Sequence, residues 1–244
     1  MSSSTKQLWD ILSVDSRLRS FFLIGETALA LRIEHRISED LDFVVLEEML
    51  PGKRLDLVLS NLRKEGLSVM ELPDIATQQD FENSGLDLAD YQRNYVVDRV
   101  KVSFFTPLQG MEDLFRINGI SPSALPVIPD LKTLFGLKCL ACGHRSKSRD
   151  WLDLYLLMTE HGFRIEDMRD VFKKCDPYNW DSAIRRLTTM KISGMDEGYL
   201  HLMDDPPALE SMKDFFLLER RHLEANEAFL YGKSEHEQKH GQDE

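Results

Sequence analysis

Two aspartates, Asp40 and Asp42, stand two residues apart in the run Ser38-Glu39-Asp40-Leu41-Asp42-Phe43-Val44-Val45-Leu46. Side chains alternate along an extended chain, so both carboxylates fall on one face. Two anions side by side repel unless a cation lies between them. Mg²⁺ takes hard oxygen ligands and fills its remaining positions with water and substrate phosphate. Upstream, Phe21-Phe22-Leu23-Ile24 is an apolar run that reads as a buried strand ending at Gly25. Gly25-Glu26-Thr27 then opens a good helix former, Ala28 to Arg32. A helix start offers free backbone N–H groups, and Gly25 has no Cβ to block approach, so phosphate could settle there. A seat for phosphate and a metal that bridges phosphates point to phosphoryl or nucleotidyl transfer. Each piece also has a plainer reading, with Gly25 as a strand end and Asp-x-Asp as a solvated turn or helix cap. The order strand, Gly-x-Thr, helix, Ser-x-Asp-x-Asp, strand favours the chemical one.

The segment resembles the nucleotidyltransferases of the AbiEii/AbiGii toxin type, within the DNA polymerase β-like superfamily. Their signature, close to G-G-T-A-L-A-L and then H-R-x-S-x-D-L-D-F, stands here as Gly25 to Leu31 and His35 to Phe43. A later stretch resembles a second family motif, a helical K-L-x-A-L followed by R-x-K-x-x-D-x-x-D. Here it runs Lys138-Cys139-Leu140-Ala141, then Arg145-Ser146-Lys147-Ser148-Arg149-Asp150-Trp151-Leu152-Asp153. The resemblance implies a Mg²⁺-dependent nucleotidyltransferase that moves a nucleotide from an NTP to an acceptor such as tRNA or other RNA. Asp40 and Asp42 would hold the metal. Gly25, Thr27 and Ser38 would hold phosphates, Lys138 would meet the nucleotide's charge, and Asp153 would support activity. It also implies the toxin of a toxin–antitoxin or phage-defence pair, with a cognate antitoxin as partner. The alternative is a catalytically weak member that binds nucleotide or a partner protein.

Asp153 lies in an otherwise apolar run, Trp151 to Leu157, where a bare carboxylate costs several kcal/mol and needs a cation. Lys138 and Arg149 are candidates. Two readings stay open: an ion pair locking two helices, or a carboxylate positioning Lys138 for phosphate. Arg145, Lys147 and Arg149 form a basic cluster, read either as a solvated helix–helix turn or as phosphate contacts.

Two departures stand out. Glu26 replaces the second small residue of the phosphate-binding turn. It suits the helix dipole but brings negative charge toward a triphosphate. Superfamily members usually carry a third carboxylate on a later central strand, and Val100 to Phe105 holds none.

The chain has 244 residues with 30 Lys+Arg against 42 Asp+Glu, a net charge of −12. That balance argues against a broad surface coating nucleic acid, which draws on Lys and Arg. It suits a small nucleotide or a basic partner protein. Hydrophobic content of 42% and charged content of 30% are ordinary for a globular protein. No apolar run is long enough to span a membrane, and the first residues lack a signal-peptide pattern, so cytoplasm is the expected location. Cys139, Cys142 and Cys175 do not make a disulfide framework. Cys139-x-x-Cys142-Gly143-His144 has no second ligand pair, and ordinary reduced thiols are the better reading.

The expected fold is α+β: a nucleotidyltransferase-like mixed sheet with helices over residues 1–118, a helical bundle over 119–233, and a polar, disordered tail over 234–244. Helices are expected at 5–19, 26–34, 53–64, 131–143, 148–161, 165–175, 180–190 and 208–230. Strands are expected at 21–24, 41–46 and 67–70, with a hairpin at 95–105. Residues 72–90 take no assignment.

Overall fold

The apolar runs of the first half pair into one mixed sheet. Its strands are β1 (Phe21–Ile24), β2 (Leu41–Val45), β3 (Val69–Glu71), β4 (Gln92–Val97) and β5 (Val100–Phe105), in the spatial order β1-β2-β5-β4-β3. β2 and β5 run parallel and the other neighbours antiparallel. A computed structural model of the chain describes residues 1–192, 196 and 198–240, with the side chains of the last helix described as far as Phe229. The described residues fall into two units, those of 1–137 with 202–204, and those of 138–201 with 205–240.

In the first unit the sheet carries α1 (Ser3–Leu12), α2 (Gly25–Ile33), α3 (Gly52–Lys64), α4 (Ile75–Asn83) and α5 (Met111–Ile117). All four β1 residues are buried, which is why that strand reads as an unbroken apolar run. Phe43 of β2 stacks on Phe104 of β5 at 5.3 Å between centroids, and Phe21 meets Phe104 edge-on at 5.7 Å. Such aromatic pairs add about 0.5–1.5 kcal/mol each beyond their burial. The outer edge of β1 is covered: Leu23 N–H donates to the Val127 carbonyl at 2.9 Å, and Val127 N–H to that of Phe21 at 3.1 Å.

The expected first helix, 5–19, ends early at Leu12. Asp15 caps a separate single turn, Ser16–Leu18, by accepting from Arg17 N–H. The unassigned stretch 72–90 holds α4, whose N-cap Asp74 accepts from Thr77 N–H at 3.1 Å. The β4–β5 turn residues Asp98 and Arg99 both have positive φ, +44° and +74°, a conformation that favours Asn-Gly. Asp98 offsets that strain by accepting from Ser68 N–H at 2.8 Å.

The second unit is helical, with the end of α6 (Leu131–His144), then α7 (Ser148–Glu160), α8 (Ile165–Cys175), α9 (Trp180–Thr189) and α10 (Leu209–His240). Its core includes Trp151, Leu154, Phe172, Leu187 and Phe216. The division between units falls at Leu137/Lys138, inside α6, rather than at 118/119. The backbone of 234–240, expected to be a disordered tail, continues α10, while 241–244 lie outside the described residues. No helix among the described residues is long and apolar enough to cross a membrane.

Cys139 and Cys142 are core residues, and burial pushes both thiols well above the ordinary range. The thiolate is the reactive species, so these sulfurs are inert. A chromogenic disulfide reagent at pH 8 should leave both unmodified in the folded protein and titrate them once denaturant is added. Rapid labelling of the native chain would contradict this packing.

Candidate active site

The first unit brings Gly25 and Asp42 against one another. Antiparallel pairing of β1 and β2 sets Ile24 opposite Asp42, so the residue after β1 meets the carboxylate. A Cβ placed on Gly25 would lie 2.7 Å from Asp42 Oδ2, which leaves no room for a side chain. Gly25 also has φ +73°, where L-residues are strained. It starts α2, whose N-cap, Ile24, gives no side-chain hydrogen bond. The N-cap side chain thus bonds none of the first-turn N–H groups, the groups that an anion seat at a helix N-terminus uses. Asp40 and Asp42 flank the fully buried Leu41 and are both part-exposed, the alternation expected when two carboxylates share a face. Asp42 beside Gly25 and Asp40 two residues before it offer hard oxygen donors of the kind Mg²⁺ takes.

The segment bearing Asp40 is fixed from behind. Thr27 and Ser38 are buried and join hydroxyl to hydroxyl at 2.7 Å, and the Thr27 hydroxyl also donates to the Asp40 carbonyl. From α1, the Thr5 hydroxyl donates to the Glu39 carbonyl at 2.9 Å, and Ser2 N–H to that of Ser38 at 3.2 Å. Thr27 and Ser38 thus hold the approach to β2 in place.

Glu26 has a cation of its own. Arg36, its side chain fully buried, pairs with it at 2.9 Å, so the extra negative charge at the start of α2 is balanced within the unit. Arg36 was in the matched motif but was not read as a partner, because the ten-residue separation carries no periodic signal. On the parallel neighbour, Ser103 stands in register with Asp42, and no carboxylate of β5 accompanies it.

Gly25→Ala tests the close approach. Left-handed backbone costs an L-residue about 1–2 kcal/mol, and the new methyl must displace Asp42. Any nucleotide transfer should fall further than the thermal-unfolding loss explains. An alanine variant with full activity would refute the arrangement.

The second unit gathers the later motif into an ion network. Lys138 Nζ lies 2.9 Å from Asp150 Oδ1 and 2.6 Å from Asp153 Oδ2. Arg145 closes on Asp150 through Nε at 2.7 Å and Nη2 at 3.1 Å. Lys138, Asp150 and Asp153 are buried, whereas the Arg145 side chain is half exposed. Spacing accounts for the arrangement: Asp150 and Asp153 are three apart on α7 and share a face. Burial alone would raise the Asp150 pKa, but Lys138 and Arg145 outweigh it and bring it to about 2. Arg149 donates from Nε to the Gly198 carbonyl at 3.0 Å. Asp150, placed with Asp153 by spacing but given no role, is the hub of the network.

Residues 7–179, well over half of the chain, match the model of the family described as nucleotidyl transferase AbiEii toxin, type IV toxin–antitoxin system. The chain belongs to the AbiEii nucleotidyltransferase toxin family. Its α+β architecture is that of a nucleotidyltransferase-like fold. The AbiEii match covers both sequence motifs. A curated relative, the uncharacterized protein aq_aa25 of Aquifex aeolicus, is 27% identical over 157 residues, 63% of this chain. That match spans 65% of the relative's length, a little less than two thirds. The crystal structure of JHP933 from Helicobacter pylori is similar with a TM-score of 0.50 at 19% identity, over 96% of this chain and 99% of that one. MenT4, nucleotidyltransferase toxin Rv2826c from Mycobacterium tuberculosis, aligns with a TM-score of 0.47 at 13% identity, over 80% of this chain and 73% of that one.

Proposed function

We propose that this AbiEii-family chain is a Mg²⁺-dependent nucleotidyltransferase that moves a nucleotide from an NTP to an RNA acceptor such as tRNA. The Asp42 carboxylate seated against Gly25 at the start of α2 carries the reading. Asp40 and Asp42 would hold the metal, which when bound would supply charge neutralisation and orientation of phosphate oxygens. The first-turn N–H groups of α2 receive phosphate, and the absent Gly25 side chain admits it. Thr27 and Ser38 act by fixing the Asp40 backbone rather than by offering their hydroxyls to phosphate. Lys138 and Arg145 serve phosphate charge, with Asp150 and Asp153 positioning Lys138, and Arg149 is a further phosphate contact. The action fits a cytoplasmic toxin of a toxin–antitoxin or phage-defence pair, with a cognate antitoxin.

A second reading has its own observations. Ser103 stands beside Asp42 where a third carboxylate would serve as base, and Lys138 is already held by two acids. These favour a weak or inactive member that binds nucleotide. The test is incubation with each labelled NTP, Mg²⁺ and total RNA, paired with calorimetry. Label transfer supports the first reading and heat without transfer the second. The absence of both, under conditions where the chain is folded, would sink the two together.

A further inference from the structure

The sheet is finished on one side and open on the other. Residues around Val127 cover β1, but β3 ends the sheet with β4 as its sole strand neighbour. Along β3, Asp98 N–H donates to the Ser68 carbonyl at 3.1 Å and Leu72 N–H to that of Asn94 at 2.8 Å. Antiparallel bonding alternates, so Ser68, Met70 and Leu72 turn their backbone toward β4 while Val69 and Glu71 turn theirs away. Outside the ladder, neither of those two amides takes a hydrogen bond among the described residues. Pro73 then closes the edge, since it has no N–H.

The side chains around this edge combine two properties. Met70, Leu72 and Ile75 are 59%, 42% and 73% exposed, an apolar strip running from β3 into α4. Met70 and Leu72 are two apart and share a sheet face. A recess of about 510 Å³ beside them is lined by Ser4, Ser68, Met70, Val96, Asp98 and Arg99. Residues 66–90 also hold six Asp or Glu and no Lys or Arg. Cations flank this stretch: Arg63 and Lys64 at the end of α3, Arg93 on β4, Arg99 on the turn and Lys101 on β5, the last acting on Asp74.

We propose that the β3 edge docks an extended, basic segment of a partner protein, which adds a sixth strand. Main-chain bonds to Val69 and Glu71 would align it. Apolar residues at alternate positions would cover Met70 and Leu72, and lysines or arginines between them would meet Glu71 and the acids of 74–90. Nucleic acid does not fit, because the segment that bears this edge carries six carboxylates and no Lys or Arg. A second copy would bring acid against acid. The proposal stands apart from the metal and phosphate residues.

The probe is the peptide Lys-Val-Lys-Val-Lys-Val-Lys, with Glu-Val-Glu-Val-Glu-Val-Glu as control, read by amide hydrogen exchange and calorimetry on the full chain. The lysine peptide should slow exchange at Val69 and Glu71 about tenfold or more and lose affinity as salt rises. Glu71→Pro removes an outward N–H while leaving the β4 ladder intact, so it should fold and bind at least about tenfold more weakly. Met70→Lys, at an exposed position, should weaken binding similarly and serves if the proline variant does not fold. The proposal is overturned by unchanged exchange at both amides or by equal binding of the glutamate peptide. It is also overturned by protection from a single-stranded RNA oligomer, or by protection that rises with protein concentration alone.

Discussion

Asp42→Asn should lower nucleotide transfer by about a thousandfold, with little change in melting temperature. The substitution keeps the shape of the side chain and its fit against Gly25, which has no room to spare. It removes the charge. Phosphate-bridging metal sites contribute several kcal/mol to transition-state stabilisation, and about 4 kcal/mol corresponds to a thousandfold in rate. Stability should hold because Asp42 is part-exposed on β2 and a neutral amide does not repel Asp40. Asp40→Asn should behave alike, though its own segment is braced through the backbone by Thr27. A single-turnover assay with labelled NTP measures the loss. An Asp42→Asn enzyme within a few fold of wild type would remove the carboxylate from the chemistry.

Lys138→Met should have the largest effect on stability, about 3–5 kcal/mol, because it deletes a buried cation shared by two buried carboxylates. Asp153 then loses its 2.6 Å ion pair. The double variant Lys138→Met with Asp153→Leu should recover at least half of the loss, since replacing a whole buried pair by apolar groups is often nearly neutral. Urea unfolding of the single and double variants measures both. If Lys138 served phosphate alone, the single variant would unfold like wild type. The same network sets an acid limit. Asp150 has a folded value of about 2 against an ordinary 3.8. Its contribution is complete above about pH 4 and is lost as pH falls toward 2, an effect of about 2 kcal/mol.

Local patterns carried most of what was legible in the sequence. Alternation gave the expectation that Asp40 and Asp42 share a face, helical spacing paired Asp150 with Asp153, and a lone apolar run marked β1. What was missed depends on contacts distant along the chain. No rule of spacing ties Thr27 to Ser38 or Glu26 to Arg36, yet these contacts hold the Asp40 segment and balance the added acid. The short helix α4 lay in a polar stretch and buries no side chain, so it shows no period; α5 buries Met111, Leu114 and Phe115 at helical spacing but is only seven residues long, beyond Pro107. The prolines between 107 and 129 mark chain turns, whereas the division between units runs through a continuous helix.

Mn²⁺, a spectroscopic substitute for Mg²⁺, gives the most direct measurement when titrated with an NTP and followed by water-proton relaxation. Asp40→Asn and Asp42→Asn should each weaken its binding about tenfold or more, while Asp80→Asn, an exposed acid on α4, should leave it unchanged. Equal Mn²⁺ affinity in all four proteins, wild type included, would contradict a metal held by the two aspartates beside Gly25.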